Sequence, residues 1–336
     1  MWWGGDTQTV SGEGSTAQQK AMEHFSQILS DDSDIVLDYT GSGSGDGIKK
    51  FIAGDVDFAG SDSALKGDEI TKAKDRCNGN DAWHLPMVVG PVAVAYNLEG
   101  VDDLKLNPAV IAKIFNGKIT KWNDPAIAAL NPGAQLPGGD IVPVYRSDSS
   151  GTTDNFQRFL QNSAPNDWPY EHSKEFAPKN VGSGASKSTG VGDTVKKTPP
   201  GSISYVEWGL RDREQARCRR HRLRSGSGRA ERGECRQGPR RAGVQEPGQQ
   251  GPRRRHRRAV RVEDPGCYPL LLTPYSIVCS AGYSDEATSA TLKDAFTKIL
   301  GDGQTGLAEI GYVPVPQNFK AKLQGSIDAL AGSGNA

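Results

Sequence analysis

The run Val144-Tyr-Arg-Ser-Asp-Ser-Ser-Gly-Thr-Thr153 gathers one guanidinium, one carboxylate and six hydroxyls, five of them from serine and threonine, into ten residues. The apolar stretch Ile141 to Tyr145 before it, and the spacing of Phe156, Phe159 and Leu160 after it, predict a strand that turns into a helix. The first turn of such a helix presents unpaired backbone N–H groups at the positive end of its dipole. Ser150, Gly151 and Thr152 would put those groups and two hydroxyls around a small anion. Arg146 adds a planar fork of donors that matches two oxygens of a phosphate or sulfate. Asp148, two residues on, is spaced to hold that fork in orientation. A plainer reading fits the same residues, namely an ordinary helix N-cap beside a surface arginine.

Two further stretches have the same character. Leu37-Asp-Tyr-Thr-Gly-Ser-Gly-Ser-Gly-Asp-Gly47 follows a strand-like run and leads into Ile48, Phe51 and Ile52, with Ser44 near the turn. Val10-Ser-Gly-Glu-Gly-Ser-Thr-Ala17 does the same before Ala21, Phe25 and Ile28. One glycine-rich turn before a helix is commonplace, but three in one chain point to several helix N-termini meeting at one ligand. Neither a Gly-x-x-x-x-Gly-Lys-Ser/Thr loop nor a dinucleotide fingerprint is present, so the expected ligand is small rather than a nucleotide.

Further along, Val56-Asp-Phe-Ala-Gly-Ser-Asp-Ser-Ala-Leu65 resembles the PstS family, the phosphate-binding proteins of the high-affinity bacterial phosphate ABC transporter. The same resemblance runs through Lys113-Ile-Phe-Asn-Gly-Lys-Ile-Thr-Lys-Trp-Asn-Asp-Pro125, Tyr145 to Thr152, Ile203-Ser-Tyr-Val-Glu-Trp208 and Gly311-Tyr-Val-Pro314. It covers about Val10 to Trp208 and Tyr268 to Gly332. In that family dehydrated phosphate is held by hydrogen bonds alone. The resemblance implicates Thr16, Ala17, Ser44, Asp62, Arg146, Ser150, Gly151 and Thr152. Where Ala17 stands the family often has an aromatic residue, whose backbone N–H is the donor.

Asp62 carries the physical argument for selectivity. A carboxylate in an anion site repels its ligand unless the ligand brings a hydrogen to share. Hydrogen phosphate has one, whereas sulfate at neutral pH does not. An unpaired buried acceptor costs on the order of 1 to 3 kcal/mol, and more when charged. The competing reading makes Asp62 a helix cap.

The elements that must position these residues follow the resemblance to an α/β, two-lobed periplasmic-binding-protein fold of type II with two crossover strands as the hinge. Helical spacing runs from Ala17 to Leu29 and from Ile48 to Ala53. Strand-like runs cover Ile35 to Tyr39 and begin again at Phe58 and Ala59. The crossovers are expected at Met87 to Asn97 and Tyr268 to Val278, so that residues 1–89 with 269–336 form lobe one and 90–268 form lobe two. The alternation of strands and helices predicts parallel sheets in both lobes. Ligands of such sheets sit at the carboxyl ends of the strands, where the Gly/Ser turns fall.

With 336 residues, 35% of them hydrophobic, the chain can build two cores. It holds no run of about 20 apolar residues and so no membrane span. The start, Met1-Trp-Trp-Gly-Gly-Asp, shows no secretory signal and no lipid-bearing cysteine. The family is exported and often lipid-anchored, which implies an extracytoplasmic protein, in the periplasm or at the cell surface with or without a lipid anchor, whose start here is truncated or a mature form. The alternative is a true start, which argues against export. Cys77 and Cys279 lie outside the doubtful segment described next, and their spacing leaves the pairing open. Neither cysteines nor histidines have zinc-like spacing, so no metal and no other cofactor is expected. His24, His84 and His172 are scattered and expected at the surface or as caps, which leaves no catalytic set and predicts no enzyme.

From Gly209 to Cys267 the composition changes. This segment holds 18 of the 21 arginines, none of the 19 lysines and seven acidic residues, a net charge of +11 that the rest of the chain balances. A basic nucleic-acid-binding insert is one reading, carried by Arg253-Arg-Arg-His-Arg-Arg258. The insert would interrupt an α/β lobe, however, and lacks aromatic residues to stack on bases. A slipped reading frame explains more. Reading each codon one nucleotide later, Gly251 to Cys267 can become Asp-Leu-Val-Val-Asp-Thr-Asp-Ala-Leu-Tyr-Ala-Ser-Lys-Thr-Pro-Gly-Ala, which is globular in character and leads directly into Tyr268. As written, the segment has the composition of a disordered chain, and weak or absent phosphate binding is expected of it.

The expected function is a monomeric solute-binding protein that closes on inorganic phosphate and delivers it to the permease subunits of an ABC transporter, with no nucleic-acid partner. The alternatives are a binder of another oxyanion such as sulfate or molybdate, and a non-functional frameshifted copy.

Overall fold

Buried and exposed positions alternate along Ile35–Gly41, whereas Phe58–Ser61 and Ser202–Glu207 are buried throughout, and helices supply the cover. The computed structural model describes residues 7–101, 104–198, 201–210 and 270–330. The strands are β1 (Gln8–Gly14), β2 (Ile35–Gly41), β3 (Phe58–Ser61), β4 (Ala82–Pro86), β5 (Gly90–Asn97), β6 (Val142–Arg146), β7 (Ser183–Ala185), β8 (Ser202–Glu207), β9 (Leu271–Leu272) and β10 (Tyr275–Cys279). The helices are α1 (Gln19–Asp32), α2 (Ser44–Ala53), α3 (Asp68–Arg76), α4 (Pro108–Phe115), α5 (Pro125–Leu130), α6 (Gly151–Ser163), α7 (Lys187–Lys197), α8 (Glu286–Leu300) and α9 (Gln317–Asp328). Most of the segment expected to be out of frame, from 211 to 267, lies outside the described residues. Gly209 is buried, and Leu210 packs against a small cluster of Val144, Val191, Val195 and Val206.

Two sheets result, in the orders β2-β1-β3-β10-β4 and β7-β6-β8-β5-β9. Val10, Leu37 and Phe58 of the first sheet pack with Phe25 and Leu29 of α1, Ile48 and Phe51 of α2, and Phe296 and Ile299 of α8. Val92, Val94, Ile203 and Tyr205 of the second pack with Ile111, Phe115, Trp122, Phe156 and Leu160. Leu270 and Leu272 belong to this second core.

The sheets are mixed rather than parallel, which corrects the expectation from strand and helix alternation. β1 is parallel to β2 and β3, and β6 to β7 and β8, but β10 runs antiparallel to β3 and β4, and β5 antiparallel to β8 and β9. The cause is the double crossing between sheets. The chain leaves the first sheet after β4 to enter β5, and it returns from β9 into β10. Two adjacent strands that cross the same gap in opposite senses pair antiparallel on both sides of it. These paired crossings form the hinge of a two-lobed α/β fold.

Helix starts differ from the sequence reading by a turn. The first helical segment opens with a 3-10 turn, Thr16–Gln18, capped by the Ser15 hydroxyl, and α2 begins at Ser44 rather than Ile48. Among the described residues no helix is long and apolar enough to cross a membrane.

Cys77, at the end of α3, and Cys279, at the end of β10, form a disulfide across 202 residues of sequence. Closing so long a loop restricts the unfolded chain far more than the folded one. Reduction is therefore expected to lower stability by about 2 to 4 kcal/mol, read as a drop in denaturation midpoint with reductant present. An unchanged midpoint in the reduced protein would refute that.

Candidate functional site

Four strands end in Gly/Ser turns that open helices: β1 before Thr16, β2 before Ser44, β6 before Gly151 and β7 before Lys187. The turn after β2 needs glycine. Gly43 caps α2 at φ +114° and donates its N–H to the Gly14 carbonyl at 2.7 Å, a backbone conformation that few other residues adopt. At α6 the Ser150 hydroxyl caps the helix by accepting the Thr153 N–H at 3.2 Å, and its own hydrogen can still donate elsewhere.

Asp62 follows β3 and is 3% exposed. It does not cap a helix, since α3 begins only at Asp68 behind Gly67. Its Oδ1 accepts from the Ser15 hydroxyl at 2.5 Å and its Oδ2 from the Thr152 hydroxyl at 3.0 Å. Its N–H donates to Ser44 Oγ at 3.2 Å, and its carbonyl accepts from Asn155 Nδ2 at 2.6 Å. Burial pushes the carboxyl above its usual range, against the pull of Ser15, Thr152 and the Arg146 charge.

Arg146 ends β6 and is equally buried. Burial opposes its charge, but the Asp148 carboxylate outweighs burial and holds the guanidinium charged. The fork is bidentate: Nε donates to Asp148 Oδ1 at 2.7 Å and Nη2 donates to Oδ2. Nη1 donates to Ser188 Oγ at 3.2 Å. Asp148 in turn sits below the usual carboxylate range, because Arg146 and the Lys187 N–H at 2.9 Å offset its burial. Arg146 is thus no surface residue, although the N-cap part of the plainer reading holds, with Ser150 as the cap. A stacked pair, Phe156 and Tyr205, braces the strand from behind, with the Arg146 N–H donating to Tyr205 Oη at 3.3 Å.

The structure brings all eight residues singled out from the sequence to the facing ends of these elements. Thr16 Oγ1 lies 2.7 Å from Ser188 Oγ. The Ala17 N–H donates to Ser15 Oγ at 3.1 Å, and the Ala17 carbonyl accepts from Tyr312 Oη at 2.7 Å. Gly151 packs so closely on the opposite sheet's turns that a Cβ there would lie 2.5 Å from Ser44 Oγ. Three neighbours went unnamed at the sequence level. Ser15 lies within the first Gly/Ser turn, Ser188 follows a fourth such turn at Gly182 to Ser186, and Glu207 sits in the Ile203 to Trp208 stretch. The fourth turn was detectable by the same pattern as the other three.

A second set of bonds joins the lobes beside the site. Asp154 on α6 accepts from Ser63 Oγ at 2.6 Å, from Arg158 Nη2 at 2.9 Å and from the Lys66 ammonium at 3.3 Å, and His172 Nδ1 lies at 2.6 Å. Burial alone would raise the Asp154 carboxyl; His172, Ser63 and the charges of Arg158 and Lys66 bring it down to about 2. Gly45 N–H reaches the Ser149 carbonyl at 3.0 Å, and Lys174 pairs with Glu69 at 2.6 Å. The lobes are closed on each other around the site.

The three histidines among the described residues do not converge. His24 is bonded at the Thr305 carbonyl, and His84 Nε2 accepts the Leu65 N–H at 3.0 Å, its pKa pushed down to about 4 by burial. No group of His, Cys, Asp or Glu among the described residues is arranged to hold a metal ion.

A cleft between two lobes, joined by paired crossings and lined by helix N-termini, one guanidinium and one carboxylate, defines a solute-binding protein. The PBP superfamily domain matches residues 3–297. The phosphate-binding protein PstS 3 of Mycobacterium tuberculosis is 40% identical over 329 residues, 97% of this chain and 88% of that protein, and that of Mycobacterium leprae is 38% identical over the same shares. This chain belongs to the PstS family of phosphate-binding proteins. In fold it is similar to the phosphate-binding protein of Stenotrophomonas maltophilia, with a TM-score of 0.66 at 20% identity over 94% of this chain and 93% of that one. A high-affinity periplasmic phosphate-binding protein bound with phosphate gives 0.67 at 21% identity over the same shares.

Proposed function

We propose that the chain binds inorganic phosphate between its lobes, outside the cytoplasm, and hands it as a monomer to the permease subunits of an ABC transporter. One observation carries the reading. The buried Asp62 carboxylate stands among donors, with both of its oxygens committed to hydroxyls from opposite lobes. Such a group tolerates an oxyanion only when the oxyanion supplies a hydrogen. The donors are the remaining Arg146 N–H groups, the Thr16, Ser44 and Ser150 hydroxyls, and the N–H groups at Gly151 and Thr152; the Thr152 hydroxyl and the Ala17 and Ser150 N–H groups are already given to Asp62, Ser15 and the Lys174 carbonyl. None of these groups makes or breaks a covalent bond, so phosphate leaves as it arrived. The lobe bounds expected from the sequence, 1–89 with 269–336 and 90–268, shift at the return crossing, which falls at 273–274 because Leu270 and Leu272 pack in the second core, so that lobe two runs to 272.

Calorimetry with phosphate and with sulfate tests the reading. Every site residue lies outside the arginine-rich stretch and is in place, so, against the weak binding expected from composition, the chain is expected to retain phosphate stoichiometrically and to discriminate against sulfate by about 100-fold, the equivalent of roughly 3 kcal/mol. Asp62→Asn swaps an acceptor for a donor and is expected to narrow that preference by about tenfold or more. Equal affinity for the two anions in the unmodified chain would rule the reading out. The arginine-rich stretch is read as out of frame. Resequencing codons 205 to 270 tests this, and an unchanged frame would overturn it.

A further inference from the structure

Ser188 Oγ stands at a junction. It lies 2.7 Å from Thr16 Oγ1, accepts from Arg146 Nη1 at 3.2 Å, and is within hydrogen-bonding reach of the Glu207 carboxyl group. Glu207 ends β8, is 3% exposed, and its Oε2 is buried without a partner among the described residues. Around it stand Arg146 on β6, Asp62 beyond β3 and Tyr312 ahead of α9. Its register partner on β5 is the apolar Val92, and from α1 the Lys20 ammonium reaches the Gly209 carbonyl, two residues away.

Ser188 has one hydrogen to give, and two neighbours compete for it. When Glu207 is ionised, the charged carboxylate takes that hydrogen. Ser188 Oγ must then accept from Thr16, whose hydrogen is drawn away from the cleft. When Glu207 is neutral, its O–H donates to Ser188, the Ser188 hydrogen turns to Thr16 Oγ1, and the Thr16 hydrogen is released to an anion. We propose that Glu207 is a positioning residue for the bound anion, setting through Ser188 the direction in which the Thr16 hydroxyl donates, so that anion binding takes up a proton. The inference rests on the phosphate reading and adds a second carboxylate to it.

Burial pushes the Glu207 carboxyl up to about 7, so both states are populated near neutrality. A dianion nearby favours the neutral form further and raises the pKa in the complex. Affinity therefore falls as pH rises above the pKa of the unliganded protein, where a proton must be acquired on binding.

The test is phosphate affinity of the full chain and of Glu207→Gln between about pH 7 and about pH 9, a range in which both proteins meet the same ligand species. Glutamine mimics the neutral acid, donating Nε2–H to Ser188. The unmodified chain is expected to lose up to about tenfold more affinity per pH unit than the variant, one proton's worth of linkage. Calorimetry of the unmodified chain in two buffers of different ionisation heat, at about pH 8, is expected to show proton uptake and needs no variant to fold. Equal pH slopes in the two proteins, or no uptake by the unmodified chain, overturns the inference. Failure of the unmodified chain to bind phosphate at any pH overturns the phosphate reading, and this inference with it.

Discussion

Gly151→Ala is expected to weaken phosphate binding by about 10- to 100-fold while leaving the unliganded protein as stable as before. Gly151 begins α6 in one lobe and packs on Ser44 and Asp62 of the other. A Cβ at this position would lie 2.5 Å from Ser44 Oγ, 2.7 Å from Asp62 Cβ and 2.9 Å from the Asp62 nitrogen. The serine hydroxyl can turn aside, but the other two atoms are backbone or next to it, and moving them moves the loop that carries the carboxylate. Overpacking of this kind costs about 1 to 3 kcal/mol. Gly151 has no positive φ, so alanine brings no backbone strain. The penalty falls on the closed state, because the three atoms nearest the added methyl all belong to the other lobe. A melting temperature unchanged without phosphate, together with a much smaller phosphate-induced rise, is the expected pattern. Unchanged affinity would mean that closure does not bring α6 against Asp62.

Arg146→Ala is expected to do more, reducing affinity by about 100- to 1,000-fold. Among the described residues the guanidinium is the one buried cation, and it stands among Asp62, Asp148 and Glu207. Truncating one partner of a buried, hydrogen-bonded charge pair costs about 2 to 5 kcal/mol, much of it from the charge left behind. Here Asp148 is left behind. Its carboxyl is depressed in the folded protein mainly by Arg146, so its contribution to stability is present above the ordinary carboxylate pKa and is lost as pH falls. In the variant that contribution disappears at neutral pH as well, and phosphate meets a site with carboxylates and no counter-charge. Arg146→Lys restores the charge but not the two-pronged contact with Asp148, and is expected to recover only part of the affinity. Titration calorimetry on the three proteins decides the matter. Affinity of the alanine variant within tenfold of the parent would mean that the anion is not held at this guanidinium.

How much could be read from the chain alone depended on the distance over which each effect acts. The strand-to-helix turns at Ser15, Ser44 and Ser150 were legible because caps and dipoles are properties of a few consecutive residues. The Arg146 and Asp148 pair was legible for the same reason, since two residues on one turn meet whatever the rest of the fold does. The resemblance to a known family supplied Asp62, whose meaning no local pattern carries. Ser188 followed the same kind of turn and was passed over. Glu207 fell within the Ile203 to Trp208 resemblance but gave no sign of a role, because a glutamate at a strand end is ordinary until one knows what covers it.

The amino-acid sequence by itself determined which segments become strands and helices, which faces they bury, where N–H groups are exposed at helix starts, and that residues 209–267 differ in composition from everything around them. Tertiary structure alone decided that Ser15 and Thr152 grip Asp62 from opposite lobes, 47 and 90 residues away in the chain. It also decided that Cys77 meets Cys279, and that the crossing strands run antiparallel and turn two parallel arrays into mixed sheets. Periodicity records the environment of each segment along its own axis. Which segments become neighbours is settled when the hydrophobic faces pack and the chain finds its way between two cores, and no single stretch contains that information.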